Sequence, residues 1–138
     1  MPPLSGSQAI WSFDLSPVTQ RIAKSGERDA AAVEQEFRRF AALCFNHPDE
    51  SLSPSKVVDE FWHQAVLDTP LYRQWCAAVF GEFIDHIPDA TGAGMHAQFQ
   101  RTVELYTVTF GAPDPRLWAE PGNSMKGRSG LRLARNQA

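Results

Sequence analysis

Three times in this chain a hydroxyl residue is followed at once by proline: Ser16-Pro17, Ser53-Pro54 and Thr69-Pro70. Such a pair sets an N-cap beside a first-turn proline, whose fixed φ suits a helix start and whose missing N–H goes unneeded there. The stops are equally local. Ser25-Gly26 ends the first helix, Gly81 ends the one after Thr69-Pro70, and Gly111 with Pro113 ends the last. Pro48 disfavours helical geometry at the residue before it and closes a helix over about Glu27 to Phe45. Between these marks apolar residues recur at three and four. Val33, Phe37, Phe40, Ala41 and Cys44 form one stripe, and Met95, Phe99, Val103, Tyr106 and Phe110 form another over about Gly92 to Phe110. Glu34, Glu36, Arg38 and Arg39 fall on the other side of the first stripe and are expected to decorate its outer face. No strand pattern and no repeat is visible, and residues 81–91 read as an irregular link. The expectation is an all-α, compact bundle of about five helices.

The ends read differently. Residues 1–10 are rich in Pro, Gly and Ser and are expected to be a flexible arm, anchored by Trp11, Phe13 and Leu15. Residues 121–138 carry Lys126, Arg128, Arg132 and Arg135 with few bulky apolar groups, and read as a disordered basic tail. A single helical domain over 11–120 remains, with Trp118 as a plug folding back after the last helix. The net charge of −3 gives no reason to expect nucleic acid or an anionic membrane as partner. No signal peptide and no apolar run of membrane-spanning length is seen. A cytoplasmic protein with Cys44 and Cys76 reduced is the expectation.

Chemistry-bearing residues concentrate between Pro54 and Pro88. Asp59 and His63 are four apart on one helix and so share a face. If the turn is centred on Pro70, His63 lies seven residues before it and Cys76 six after, at similar height on facing helices. His86 follows Gly81 in the link, where it can fold back over the pair. Two imidazoles, a thiolate and a carboxylate suit Zn²⁺ first and iron second, with copper also compatible. His63, Cys76 and His86 are the expected ligands, and Asp59 is a fourth ligand or the group that orients His63. The spacing matches no standard zinc-finger pattern. Each residue also has a plain structural reading: Cys76 as a small core residue, Asp59 with His63 as a satisfied pair, His86 as a cap on a loop carbonyl.

The run VDEFWHQAVLDTPLYRQWCAAVFGEFIDHIP resembles the glycine-rich domain-containing protein-like family in its shorter bacterial form. The resemblance rests on Asp59, Trp62-His63, Leu67 with Tyr72, Cys76, Gly81 and His86-Ile87-Pro88. It covers about residues 30–90. Many members carry a second histidine where Ala65 stands here. The resemblance implies a site at these residues and leaves the reaction open.

Three functions therefore stand as expectations. The first is a transition-metal site built from Asp59, His63, Cys76 and His86. The second is a small enzyme, or an accessory partner of a biosynthetic pathway, using a metal or a Cys76–His63 pair. The third is an interaction module whose polar cluster serves only the fold. The partner is an unidentified protein or small molecule.

Overall fold

The structure is a computed structural model that describes residues 5–88, 92–121 and 131–135. Six helices run in order: α1 (Ser7–Ser12), α2 (Ser16–Lys24), α3 (Ala30–Asn46), α4 (Lys56–Leu67), α5 (Thr69–Phe80) and α6 (Gly92–Phe110). A strand β1 (Ile84–Pro88) lies between α5 and α6, and β2 (Leu131–Arg135) follows α6. The class is all-α, with five helices of nine residues or more and a two-stranded ribbon at one side. No helix among the described residues is long and apolar enough to cross a membrane.

The local signals place most helix ends. Pro17 and Pro70 sit in the first turns of α2 and α5, and Gly81 takes the left-handed conformation at the end of α5 with φ 74°. The Ser53-Pro54 signal is displaced by two residues: Ser55 is the N-cap of α4, its hydroxyl accepting from the Val58 N–H at 3.3 Å. Trp118 is buried against Phe99 and Tyr106, as its plug reading requires.

Two expectations about the body change. Residues 7–12 are helical, and Ala9 and Ile10 are almost wholly buried, so part of the proposed arm joins the core. More consequentially, α3 has no outward face along much of its length. It packs against α1, α2, α4 and α6, and both Glu36 and Arg38 are buried. The Arg38 guanidinium lies under α1, donating to the carbonyls of Ile10 at 3.0 Å and Phe13 at 2.8 Å while Nε and Nη2 grip Glu34. A planar fork with five donors suits several acceptors at once.

Within the link read as irregular, residues 84–88 form β1. Its partner β2 runs antiparallel in the register Ile84↔Arg135, His86↔Leu133 and Pro88↔Leu131, and β2 also packs against α4. Within the tail, residues 122–130 and 136–138 lie outside the described residues.

Candidate functional site

The junction of α4, α5 and β1 is tied by one hydroxyl. Trp62 and Tyr72 are both almost fully buried, and the Trp62 indole N–H donates to the Tyr72 oxygen at 3.1 Å. Tyr72 in turn donates to the backbone carbonyl of Ile84 at 2.7 Å. A buried phenol needs such a partner, and here the partner is the first residue of β1. With the Ile84 side chain wholly buried as well, the strand is fixed to the helical body at its start.

Asp59, His63 and Cys76 occupy the same two helices, yet they do not assemble into a metal centre. Among the described residues no group of three or more His, Cys, Asp and Glu side chains is placed to hold a metal ion. The transition-metal site expected from Asp59, His63, Cys76 and His86 is thereby corrected. The expectation of equal height rested on a turn at Pro70, and the junction lies elsewhere. α4 ends at Leu67, α5 begins at Thr69, and Asp68 alone joins them. About that pivot His63 lies five residues before and Cys76 eight after. The equal offsets that a turn at Pro70 implied for His63 and Cys76 therefore do not hold. Cys76 is fully buried in the apolar core, Asp59 is buried in the first turn of α4 where a carboxylate suits the helix dipole, and His63 is half-buried. Cys44 is buried too, and the two cysteines form no disulfide. The His86 backbone is the centre of β1, opposite Leu133, and its side chain lies outside the described residues.

The other two histidines lie apart from this junction. His96 is exposed and its Nδ1 is 2.9 Å from the Glu120 carboxylate. His47 is half-buried at the end of α3.

Two features escape the sequence reading. The first is a buried polar knot around Glu36. Its Oε1 accepts from the Tyr106 hydroxyl and from the Trp118 indole at 2.7 Å, and Arg39 donates to the Tyr106 oxygen at 2.7 Å. Burial, reinforced by the hydrogen bond to Glu36, pushes the Tyr106 phenol above its ordinary pKa, against the opposing pull of Arg39. Every group in the knot is satisfied internally, and it pins α6 and the Trp118 segment onto α3.

The second is an open slot of about 410 Å³ beside the start of β1, lined by Arg73, Ala77, Glu82 and Phe83. The Phe83 ring is 43% exposed. Its inner edge meets Tyr72 in a T-shaped contact with centroids 5.4 Å apart. The Oε1 atom of Glu82 is buried with no hydrogen-bond partner among the described residues. The available sequence signal was a phenylalanine beside a glutamate just past the helix-ending Gly81.

No curated protein and no solved structure matches the chain. The family model that matches is UCP032817-like, over residues 9–105, from α1 through most of α6. This match replaces the expected membership of the glycine-rich domain-containing protein-like family, whose pattern the Trp62-His63 to Pro88 run had suggested. The chain belongs to the UCP032817-like family.

Proposed function

We propose that this protein is a peptide-docking module that receives an extended, basic segment along β1, with its own Leu131–Arg135 strand as the resident competitor. The observation that carries this reading is the β1–β2 pairing itself. An antiparallel ladder joins β1 to a strand that lies beyond the whole of α6 and the segment after it. A two-stranded ribbon is marginal on its own, so its stability depends on the body that anchors β1 through Ile84 and Tyr72. A strand held at an edge in this way offers main-chain hydrogen bonds to any extended segment.

Charge supports a basic occupant. Residues 1–120 hold nine Lys and Arg against sixteen Asp and Glu, a net of −7. Residues 121–138 hold four Lys and Arg and no acid. The body and the strand it accepts are thus of opposite sign, which favours encounter and fixes partner preference more than it adds affinity.

The test uses the full chain. A fluorescein-labelled peptide spanning Ser129–Ala138 is titrated against wild type and against Arg132→Pro with Leu133→Pro. Adjacent positions alternate in ladder bonding, so one of the two prolines removes a bonded N–H. Once β2 is displaced its competition disappears, and an internal segment competes at millimolar effective concentration. The peptide is expected to bind the proline variant at least about tenfold more tightly than wild type. Equal, weak anisotropy changes with both proteins would remove the reading.

A further inference from the structure

We propose that the buried carboxylate of Glu36 is the base of a second docking site, one for a tryptophan carried on a peptide, and that Trp118 is its resident occupant on a releasable strap. The site is built on α3, α6 and the start of α4, and it does not rest on the strand-docking reading.

Residues 111–121 form the strap and contain no helix or strand. Trp118 alone among them is buried, and Leu117 beside it is partly so. Two further ties hold the strap. The Lys56 N–H donates to the Ala119 carbonyl at 2.9 Å, and the Glu120 carboxylate meets exposed His96 at 2.9 Å. Exposed pairs of the second kind add little. Segments with few buried contacts open below the free energy of global unfolding, so one indole carries most of the hold.

What that indole occupies is a recognition site and not a plain apolar hole. Trp118 Nε1 donates to Glu36 Oε1 at 2.7 Å, and its ring lies against Tyr106 and Phe99 with centroids 4.9 Å and 6.4 Å apart. Glu36 is only 7% exposed, and groups outside the strap hold its carboxylate in place. The Tyr106 hydroxyl donates to the same oxygen, and Arg39 donates to Tyr106 at 2.7 Å. A charged acceptor at that depth bonds an N–H strongly and is costly to leave without its donor. The vacated site therefore selects an indole over a ring that has no donor.

Lys56 adds a main-chain requirement. Its N–H, at the start of α4, is answered by the carbonyl of the residue after the tryptophan. A tryptophan within a peptide supplies both the indole and that carbonyl, whereas free indole supplies only the first.

Full-length Trp118→Ala vacates the site for the test. It is titrated with acetyl-Leu-Trp-Ala-amide and followed by ¹⁵N–¹H correlation spectra, and saturable shifts are expected at the Lys56, Phe99 and Tyr106 amides. The same peptide carrying 1-methyltryptophan, which has no N–H, should bind at least about tenfold more weakly. Free indole should shift Phe99 and Tyr106 and leave Lys56 unmoved. Equal binding of the methylated peptide, or no saturable shift with either peptide, overturns Glu36 as the receptor. Free indole matching the peptide in affinity overturns the main-chain requirement. Wild type supplies a measurement that depends on no variant. Its Lys56 amide, bonded to the strap, should exchange at least about tenfold faster than the Phe61 amide inside α4. Exchange of both amides only through global unfolding overturns the releasable strap, whatever the peptides do.

Discussion

Tyr72 gives its phenolic proton to the main-chain carbonyl of Ile84 at 2.7 Å, so a side chain of α5 fixes the first peptide of β1. The Trp62 indole completes the arrangement by donating to the Tyr72 phenolic oxygen. Tyr72→Phe keeps the ring and deletes the bridge, leaving a buried N–H and a buried C=O to find other partners. Each such loss costs about 1–3 kcal/mol. The expected result is a lower urea midpoint together with faster amide exchange across Ile84–Pro88. A midpoint unchanged from wild type would show that the hydroxyl is dispensable to the junction.

The Glu36 knot makes an alkaline prediction. Tyr106 has a folded pKa raised above its ordinary value, chiefly by burial and then by its bond to Glu36. The unfolded chain therefore loses this proton first as pH rises. The associated stability is complete below about pH 10, the ordinary tyrosine value, and drains away above it as pH approaches the folded pKa. Urea midpoints measured from pH 8 to 11.5 should fall over the upper part of the range, and Tyr106→Phe should fall less steeply. Parallel curves for the two proteins would assign the alkaline loss elsewhere.

The same knot illustrates what the sequence can and cannot reveal. Gly81, Pro70 and Pro17 act within one turn of themselves, and their helix ends follow directly from local chemistry. An isolated periodic stripe implies a polar face in solvent, and so places Glu36 on the outer side of α3. Its burial depends on Tyr106 and Trp118, 70 and 82 residues later, which no local pattern encodes. β1 was hidden for the same reason: IDHIP has no clean alternation, and its partner lies beyond α6. Asp59 and His63 fall on α4 and Cys76 on α5, whereas His86, expected in an irregular link, stands in β1; the equal height inferred for His63 and Cys76 rests on a turn at Pro70. With the junction at Asp68 the sequence offsets of His63 and Cys76 are no longer equal.

Arg38 yields a stability prediction from a residue read as surface decoration. Its guanidinium serves the Ile10 and Phe13 carbonyls at the end of α1 and grips Glu34, which also accepts from the Thr19 hydroxyl. Arg38→Ala strands a buried carbonyl and should cost about 1–3 kcal/mol. Arg38→Lys should recover less than half of that, since a single ammonium cannot reproduce the fork. Amide exchange of Ala9 and Ile10 reports the effect where it originates. Full rescue by lysine would reduce the role of Arg38 to its charge.

Cys76 provides the sharpest check on the expectation of a reactive thiol. It is wholly buried within the core that also holds Trp62, Tyr72 and Trp75, and Cys44 is 3% exposed. Iodoacetamide reaches such a sulfur only when the surrounding helices separate. Native protein should therefore be alkylated at least about a hundredfold more slowly than the same chain in urea, as expected when labelling must await a rare opening. The modification rate should climb with denaturant along the unfolding curve. If opening is rapid compared with labelling, Tyr72→Phe should speed alkylation of Cys76 in proportion to the stability it loses, because labelling then follows the population of the opened state. Fast modification of Cys76 in the undisturbed protein would instead demand a path from solvent to its sulfur, and a chemical role for that thiol would then have to be reconsidered.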